Sequence, residues 1–284
     1  MTRRRRRGAG RALRGVGLAV LVVGVVVTLI WSLQRQLMYF PDRSDPGSVA
    51  NIATGGRDLT LRTADGLELG AWLLPPDEQA DSGYAVVMAP GNGGHRGGRL
   101  GLGEQLAEQG LAVLLLDYRG YGGNPGSPTR EGLAQDADAA VEALAEQGYG
   151  LDRIVYLGES LGTGVVAELA ERHTPAAVVL RSPYTTFADV AKVHYPWLPV
   201  GALLRDDYDV VGPLSRTQVP VSVVYGSVDG VVPPELSERV AREVAVLHEE
   251  VVLDGVDHND SPMFGEPVVR AVVDAVASVS DGIP

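Results

Sequence analysis

The stretch Arg153-Ile154-Val155-Tyr156-Leu157-Gly158-Glu159-Ser160-Leu161-Gly162-Thr163-Gly164-Val165-Val166-Ala167-Glu168-Leu169-Ala170 carries the most information in this chain. Arg153–Leu157 is a short, apolar, β-branched run, the pattern of a buried strand. Thr163–Ala170 reads as a helix. Between them stands G-x-S-x-G, so Ser160 falls on a tight strand-to-helix turn that lifts its hydroxyl clear of both elements. A turn this sharp leaves no space for a β-carbon at the flanking glycines. The helix behind it aims its free N–H groups at the place where negative charge develops during acyl transfer. The five-residue pattern alone is common; its strand and helix make Ser160 a candidate nucleophile.

Strands and helices alternate around this turn. Tyr84–Met88, Leu111–Leu116, Ala176–Leu180, Val219–Tyr225 and His248–Leu253 read as further strands. Arg99–Gln109, Glu131–Gln147, Pro234–Ala245 and Pro267–Val279 read as helices. Near-continuous apolar strands separated by helices predict an α/β fold, a mostly parallel sheet covered on both faces. Catalytic groups in such sheets gather outside the carboxyl ends of the strands. Ahead of these, Asp58–Thr63 and Glu68–Leu74 are joined through Ala64-Asp65-Gly66 and predict a hairpin. The rhythm breaks between Leu180 and Val219. Prolines and aromatics in His194-Tyr195-Pro196-Trp197-Leu198-Pro199 predict short helices and loops forming a cap at about 184–216.

Seven of the 24 basic residues are arginines between Arg3 and Arg14, which leaves 17 basic against 36 acidic side chains and a formal net of −19 beyond them. An acidic body of this kind is soluble and does not bind nucleic acid through its surface. No residue from Gly15 to Gln34 is charged, and Val16–Leu33 is long enough to cross the roughly 30 Å hydrocarbon layer as a helix. A cleaved signal peptide is the rival reading, but the apolar run exceeds a signal core of about 7–15 residues and no clear A-x-A-like site follows it. A core helix is the bland alternative, which the arginines at its start disfavour. The expected organisation is a basic segment at 1–15, a transmembrane anchor at 16–33, a connector at 34–57 and one domain at 58–284. By the positive-inside rule the arginine end stays cytoplasmic and the domain lies outside. The chain contains zero cysteines, which excludes disulfides, thiolate nucleophiles and cysteine-ligated zinc.

A serine nucleophile needs a base, and the base an orienting carboxylate. Of the five histidines, His258 lies just beyond the last expected strand, at a carboxyl-end loop that faces Ser160 in this topology. His173 and His248 read as surface residues, His194 belongs to the cap, and His95 follows a glycine-rich loop. Asp229 follows the strand Val219–Tyr225 and gives the chain order Ser, Asp, His. Asp257 competes, but neighbours on an extended loop point apart. Two N–H donors are needed for the oxyanion. One is expected from Leu161, the other from the loop Ala89-Pro90-Gly91-Asn92-Gly93-Gly94, with Asn92 the best single choice. That loop lacks a Walker lysine and the full G-x-G-x-x-G spacing of a nucleotide site. Asp117-Tyr118-Arg119-Gly120-Tyr121-Gly122 reads as a structural turn, with side chains at the pocket entrance as the alternative.

Together these residues resemble the α/β-hydrolase superfamily, in particular its single-pass, membrane-anchored hydrolase-domain proteins related to the serine aminopeptidase-like group. The resemblance rests on Leu37-Met38-Tyr39-Phe40-Pro41, Gly91-Asn92-Gly93-Gly94, Asp117–Gly122, Gly158–Gly162, Gly226-Ser227-Val228-Asp229, Asp257-His258 and the cap segment Tyr195–Pro199. It implies Ser160 as nucleophile, Asp229 as orienter and His258 as base, with Asn92 and Leu161 at the oxyanion. Where the family commonly has histidine before the oxyanion glycine, this chain has Pro90. The implied activity is hydrolysis of an ester or thioester, lipid substrates being favoured by a membrane tether, without metal or organic cofactor. A peptidase, an acyltransferase and a catalytically silent binding module are the competing expectations.

Overall fold

The computed structural model describes residues 2–280, with side chains from residue 15 onward apart from Ala202. The side chains of the arginine cluster therefore lie outside the described residues, as do positions 281–284. The elements run α1 Thr2–Met38, β1 Phe40–Pro41, β2 Arg57–Arg62, β3 Glu68–Leu74, β4 Tyr84–Ala89, β5 Gly93–Gly94, α2 Leu100–Glu108 and β6 Leu111–Leu115. They continue through α3 Arg130–Glu146, β7 Ile154–Glu159, α4 Leu161–Arg172 and β8 Ala177–Arg181. The cap supplies α5 Phe187–His194, α6 Val200–Leu203 and α7 Val211–Leu214, and the chain closes with β9 Val221–Gly226, α8 Pro234–Glu243, β10 Leu247–Leu253 and α9 Glu266–Ser280.

Eight strands form one sheet in the order β10-β9-β8-β7-β4-β6-β3-β2. All pairs from β10 to β6 are parallel, while β3 runs antiparallel to both β6 and β2. Side chains alternate across the pleat. Val87, Leu114, Tyr156 and Leu180 pack with Leu144 of α3 and Val166 of α4 on one face. Val86, Val113, Val155 and Val179 pack with Leu106 of α2 and Val272 of α9 on the other. Both faces being buried explains why the central strands read as unbroken apolar runs.

The apolar stretch Gly15–Met38 is long enough to cross a membrane, and its most hydrophobic window is not buried against the fold. It is therefore no core helix. The helix α1 runs past residue 33 to Met38, into the segment expected to be a connector. Its last turn is polar because it docks on the cap. Gln34 Nε2 donates to the Leu203 carbonyl at 3.2 Å, and Gln34 Oε1 accepts from Arg205 N–H at 2.7 Å. Arg35 donates twice to the buried Asp206 carboxylate, both at 2.8 Å. Tyr39 Oη donates to the same carboxylate at 3.2 Å and shares a 3.0 Å hydrogen bond with Tyr208 Oη.

Candidate active site

Ser160 joins β7 to α4 with φ of 50° and ψ of −114°. A residue with a side chain holds a positive φ only where its surroundings impose it. Here the Ser160 N–H donates to the Arg181 carbonyl at 2.9 Å, while Thr163 returns its N–H and hydroxyl to the Ser160 carbonyl at 2.9 and 2.6 Å. A β-carbon at Gly158 would sit 2.6 Å from Val166 Cγ2, and one at Gly162 would overlap the Ala89 carbonyl oxygen. The two motif glycines thus let β7, α4 and the end of β4 converge beneath the serine.

His258 arrives on the loop after β10 and Asp229 on the loop after β9, adjacent parallel strands whose carboxyl ends lie together. His258 Nδ1 is 2.7 Å from Asp229 Oδ2, and both residues are buried. Asp229 Oδ1 accepts the N–H groups of Val231 and Val232 at 2.9 and 2.8 Å, so the carboxylate is held from both ends. Burial pushes the Asp229 carboxyl up, but the His258 hydrogen bond and charge and the two backbone donors prevail and hold it below its ordinary value. An ionised Asp229 fixes the proton on Nδ1 and leaves Nε2 free to accept one. Asp257 does not reach the ring of its neighbour. Its Oδ1 accepts the N–H groups of His258 and Gly230 at 2.7 and 2.8 Å and pins the two loops together.

Ser160 and His258 line one cavity of about 520 Å3, with Phe40, Gly91–Gly94, Arg99, Glu159, Val231 and Phe264 among its other walls. Among the described residues Ser160 Oγ makes no hydrogen bond to the imidazole; such contacts often tighten only when substrate is bound. The N–H groups of Asn92 and Leu161 also have no hydrogen-bond partner among the described residues. Leu161 opens α4, where an unbonded N–H is expected. The Asn92 side chain is engaged elsewhere, its Nδ2 donating to the Met38 carbonyl at 2.9 Å. The Asn92 carbonyl accepts Phe40 N–H at 2.8 Å and Tyr121 Oη at 2.9 Å. Two-residue β1 and β5 pair in parallel, Phe40 opposite Gly93, and Tyr118 Oη donates to the Pro90 carbonyl at 3.0 Å. The loop holding Asn92 is thus clamped between the end of the α1 segment and the Asp117–Gly122 turn.

Sequence reading missed the charges beneath Ser160. Glu159, the residue before Ser160, is buried between Arg99 and Arg181, with Arg99 Nε at 3.1 Å and Arg181 Nη2 at 2.8 Å. Burial pushes the Glu159 carboxyl up, yet the charges of Arg181 and Arg99 and their hydrogen bonds outweigh it and bring the group down to about 2. Arg181 also donates to the His258 carbonyl at 2.9 Å and lies over the Phe264 ring, 4.4 Å from its centroid. An arginine closing an apolar strand at the catalytic edge was the available signal. The remaining histidines lie apart from this centre. His95 Nδ1 accepts the Gly97 N–H at 3.0 Å, His194 Nε2 contacts the Val231 carbonyl at 2.9 Å, His173 caps α4 beside Asp138, and His248 lies on the edge strand. No cluster of metal-ligating side chains occurs among the described residues. A larger cleft of about 580 Å3, between Pro75–Glu78 and the α2 carboxylates Glu104 and Glu108, contains no histidine.

A sheet of this order, with a serine on the strand-to-helix turn and a His–Asp pair on the two last carboxyl-end loops, places the chain in the α/β-hydrolase family, to which it belongs. Residues 84–210 match the family model described as the alpha/beta hydrolase fold. The chain is 45% identical over 268 residues to the uncharacterized protein Rv2307c of Mycobacterium tuberculosis, covering 94% of each. It is 27% identical over 264 residues to the lysophosphatidylserine lipase ABHD12 of Danio rerio, covering 78% of this chain and 68% of that one. Among solved structures, the Pyrococcus furiosus esterase Pf2001 shares the fold with a TM-score of 0.67 at 19% identity, over 86% of this chain and 98% of that one.

Proposed function

We propose that this protein is a membrane-anchored serine hydrolase that cleaves carboxylic esters or thioesters. The observation that carries the reading is a His258–Asp229 pair at 2.7 Å whose imidazole shares a cavity with Ser160. Ser160 Oγ attacks the acyl carbonyl while His258 Nε2 takes the hydroxyl proton. Asp229 steadies the imidazolium that forms. The N–H groups of Leu161 and Asn92 receive the oxyanion. His258 then gives its proton to the leaving alcohol or thiol, and an acyl-enzyme remains on Ser160. Water enters and loses a proton to His258 as it attacks the acyl-enzyme, and His258 returns that proton to Ser160 Oγ as the acid leaves. No step calls for a metal or an organic cofactor.

Ester over amide chemistry is supported by the tether. An exposed apolar helix brings the site to lipid, and one relative is named for a lipid substrate. In this reading residues 16–33 span the membrane with the arginine end cytoplasmic, 58–284 form the hydrolase domain, and catalysis takes place outside. The test is labelling of the full chain by a fluorophosphonate, with Ser160→Ala and His258→Ala alongside. Wild type should label and hydrolyse simple esters, and both variants should lose roughly three orders of magnitude or more in kcat/KM. A folded wild-type chain that stays unlabelled would sink the hydrolase reading and favour a silent binding module.

A further inference from the structure

A second cavity, of about 410 Å3, adjoins the catalytic one. Its walls come from Ile30, Leu37 and Met38 of α1, from Phe187, Val190 and Leu198 of the cap, and from Val231. Gln34 and His194 on its wall have hydrogen bonds made elsewhere, Gln34 with Leu203 and Arg205 and His194 with the Val231 carbonyl. What remains facing the space is mostly hydrocarbon.

We propose that this cavity is an acyl-chain site, which takes the single hydrocarbon tail of an ester whose carbonyl lies at Ser160. The proposal rests on the hydrolase reading above and names its substrate class. Three observations support it. Val231 lines both cavities, and its N–H is fixed by Asp229 Oδ1, so the partition is held by the carboxylate that orients His258. The wall opposite the cap is the last part of the apolar helix itself, so the cavity begins where the membrane-spanning stretch ends. The rim carries large exposed apolar side chains, Leu37 at 63%, Tyr195 at 54% and Trp197 at 71% exposure. Exposed apolar groups in one patch mark an interaction surface. Tyr and Trp at such a rim suit the membrane–water interface. The mouth therefore faces the bilayer, and a lipid tail reaches the serine without crossing water.

The test uses the full chain in phospholipid nanodiscs, hydrolysing p-nitrophenyl butyrate and octanoate. A buried methylene is worth about 0.8 kcal/mol, roughly fourfold, so octanoate should exceed butyrate in kcat/KM by on the order of a hundredfold. Ala191→Trp, which fills the cavity, should cut the octanoate-to-butyrate ratio at least tenfold. Val193→Trp, on the exposed face of the same helix, should leave that ratio in place. A flat chain-length profile with Ser160-dependent butyrate turnover overturns the acyl-chain site and spares the hydrolase reading. Absence of Ser160-dependent turnover of either ester overturns both. Mono-oleoylglycerol mixed into the same nanodiscs reports the source of the tail. Its hydrolysis by wild type and survival with Ala191→Trp support a bilayer-facing mouth, whereas turnover of octanoate alone overturns it.

Discussion

Glu159 and Asp206 are both buried carboxylates held by arginine, the first behind Ser160 and the second between α1 and the cap. Around Glu159 the surroundings are nearly closed, Arg99 alone of its two arginines reaching the cavity. Arg181 is 1% exposed, and its other donor supports the loop of His258. Around Asp206 one partner, Arg35, is a third exposed to water at 33%, and the other is the Tyr39 hydroxyl. A cation left behind in the first place has no solvent to turn to; in the second it does. Charges of similar geometry therefore stabilise by different amounts, and their removal separates the support beneath Ser160 from the docking of α1 on the cap.

The largest effect is expected for Glu159→Gln. It strands Arg181 in the interior, which should cost about 3–5 kcal/mol in chemical denaturation and lower turnover by letting the His258 loop shift. A denaturation midpoint equal to wild type would show that the cluster contributes nothing. Acid should act on the same group. The folded Glu159 carboxyl is held at about 2 against an ordinary 4.5, so its contribution is complete above pH 4.5 and is lost as pH falls toward 2. At 1.36 kcal/mol per unit the loss is about 3 kcal/mol. Glu159→Gln should lack this segment of the acid-stability curve; an unchanged acid slope in the variant would assign the loss to other carboxylates.

Asp206→Asn should cost less, about 1–3 kcal/mol, because Arg35 keeps part of its hydration. Its signature lies in activity as well as stability. Met38 and Phe40 follow directly on the docked turn and hold the loop of Asn92. Loosening the turn should therefore lower kcat while leaving labelling of Ser160 detectable. Equal losses of stability in Asp206→Asn and Glu159→Gln would erase the distinction between the two clusters.

Legibility in the sequence follows the same divide. The turn at Ser160 is a local object, written in two glycines, a strand and a helix that are contiguous in the chain. His258 and Asp229 were readable because a parallel sheet delivers the ends of its strands to one edge, whatever the detailed contacts. Pairings across long stretches of sequence were not readable. Gln34 and Arg35 break the apolar pattern of α1, so composition ends the helix at Leu33. Only the cap residues Leu203, Arg205 and Asp206, about 170 positions away, show why it continues to Met38. Pairing of Phe40 with Gly93 over two residues leaves no periodicity to detect. Arg99 and Arg181 looked like ordinary charges flanking apolar elements until the fold brought Glu159 between them.

The smallest effect tests how the two regions meet. Asn92 was expected at the oxyanion because of where its loop falls, and two of its groups are candidates for that role. The side-chain amide is bonded to the Met38 carbonyl at 2.9 Å, whereas the backbone N–H has no partner among the described residues. If the backbone supplies the donor, Asn92→Ala removes one tie to the end of α1 and leaves the oxyanion hydrogen bond in place. Stability should then fall by about 1 kcal/mol, and kcat by less than about tenfold, the modest loss coming from a loop held at one point fewer. Loss of an oxyanion donor itself costs about 10²–10³ in kcat. A drop of that size in Asn92→Ala, with KM and stability little altered, would mean that the amide leaves Met38 to bind the oxyanion, and the end of α1 would then compete with the transition state for the same donor.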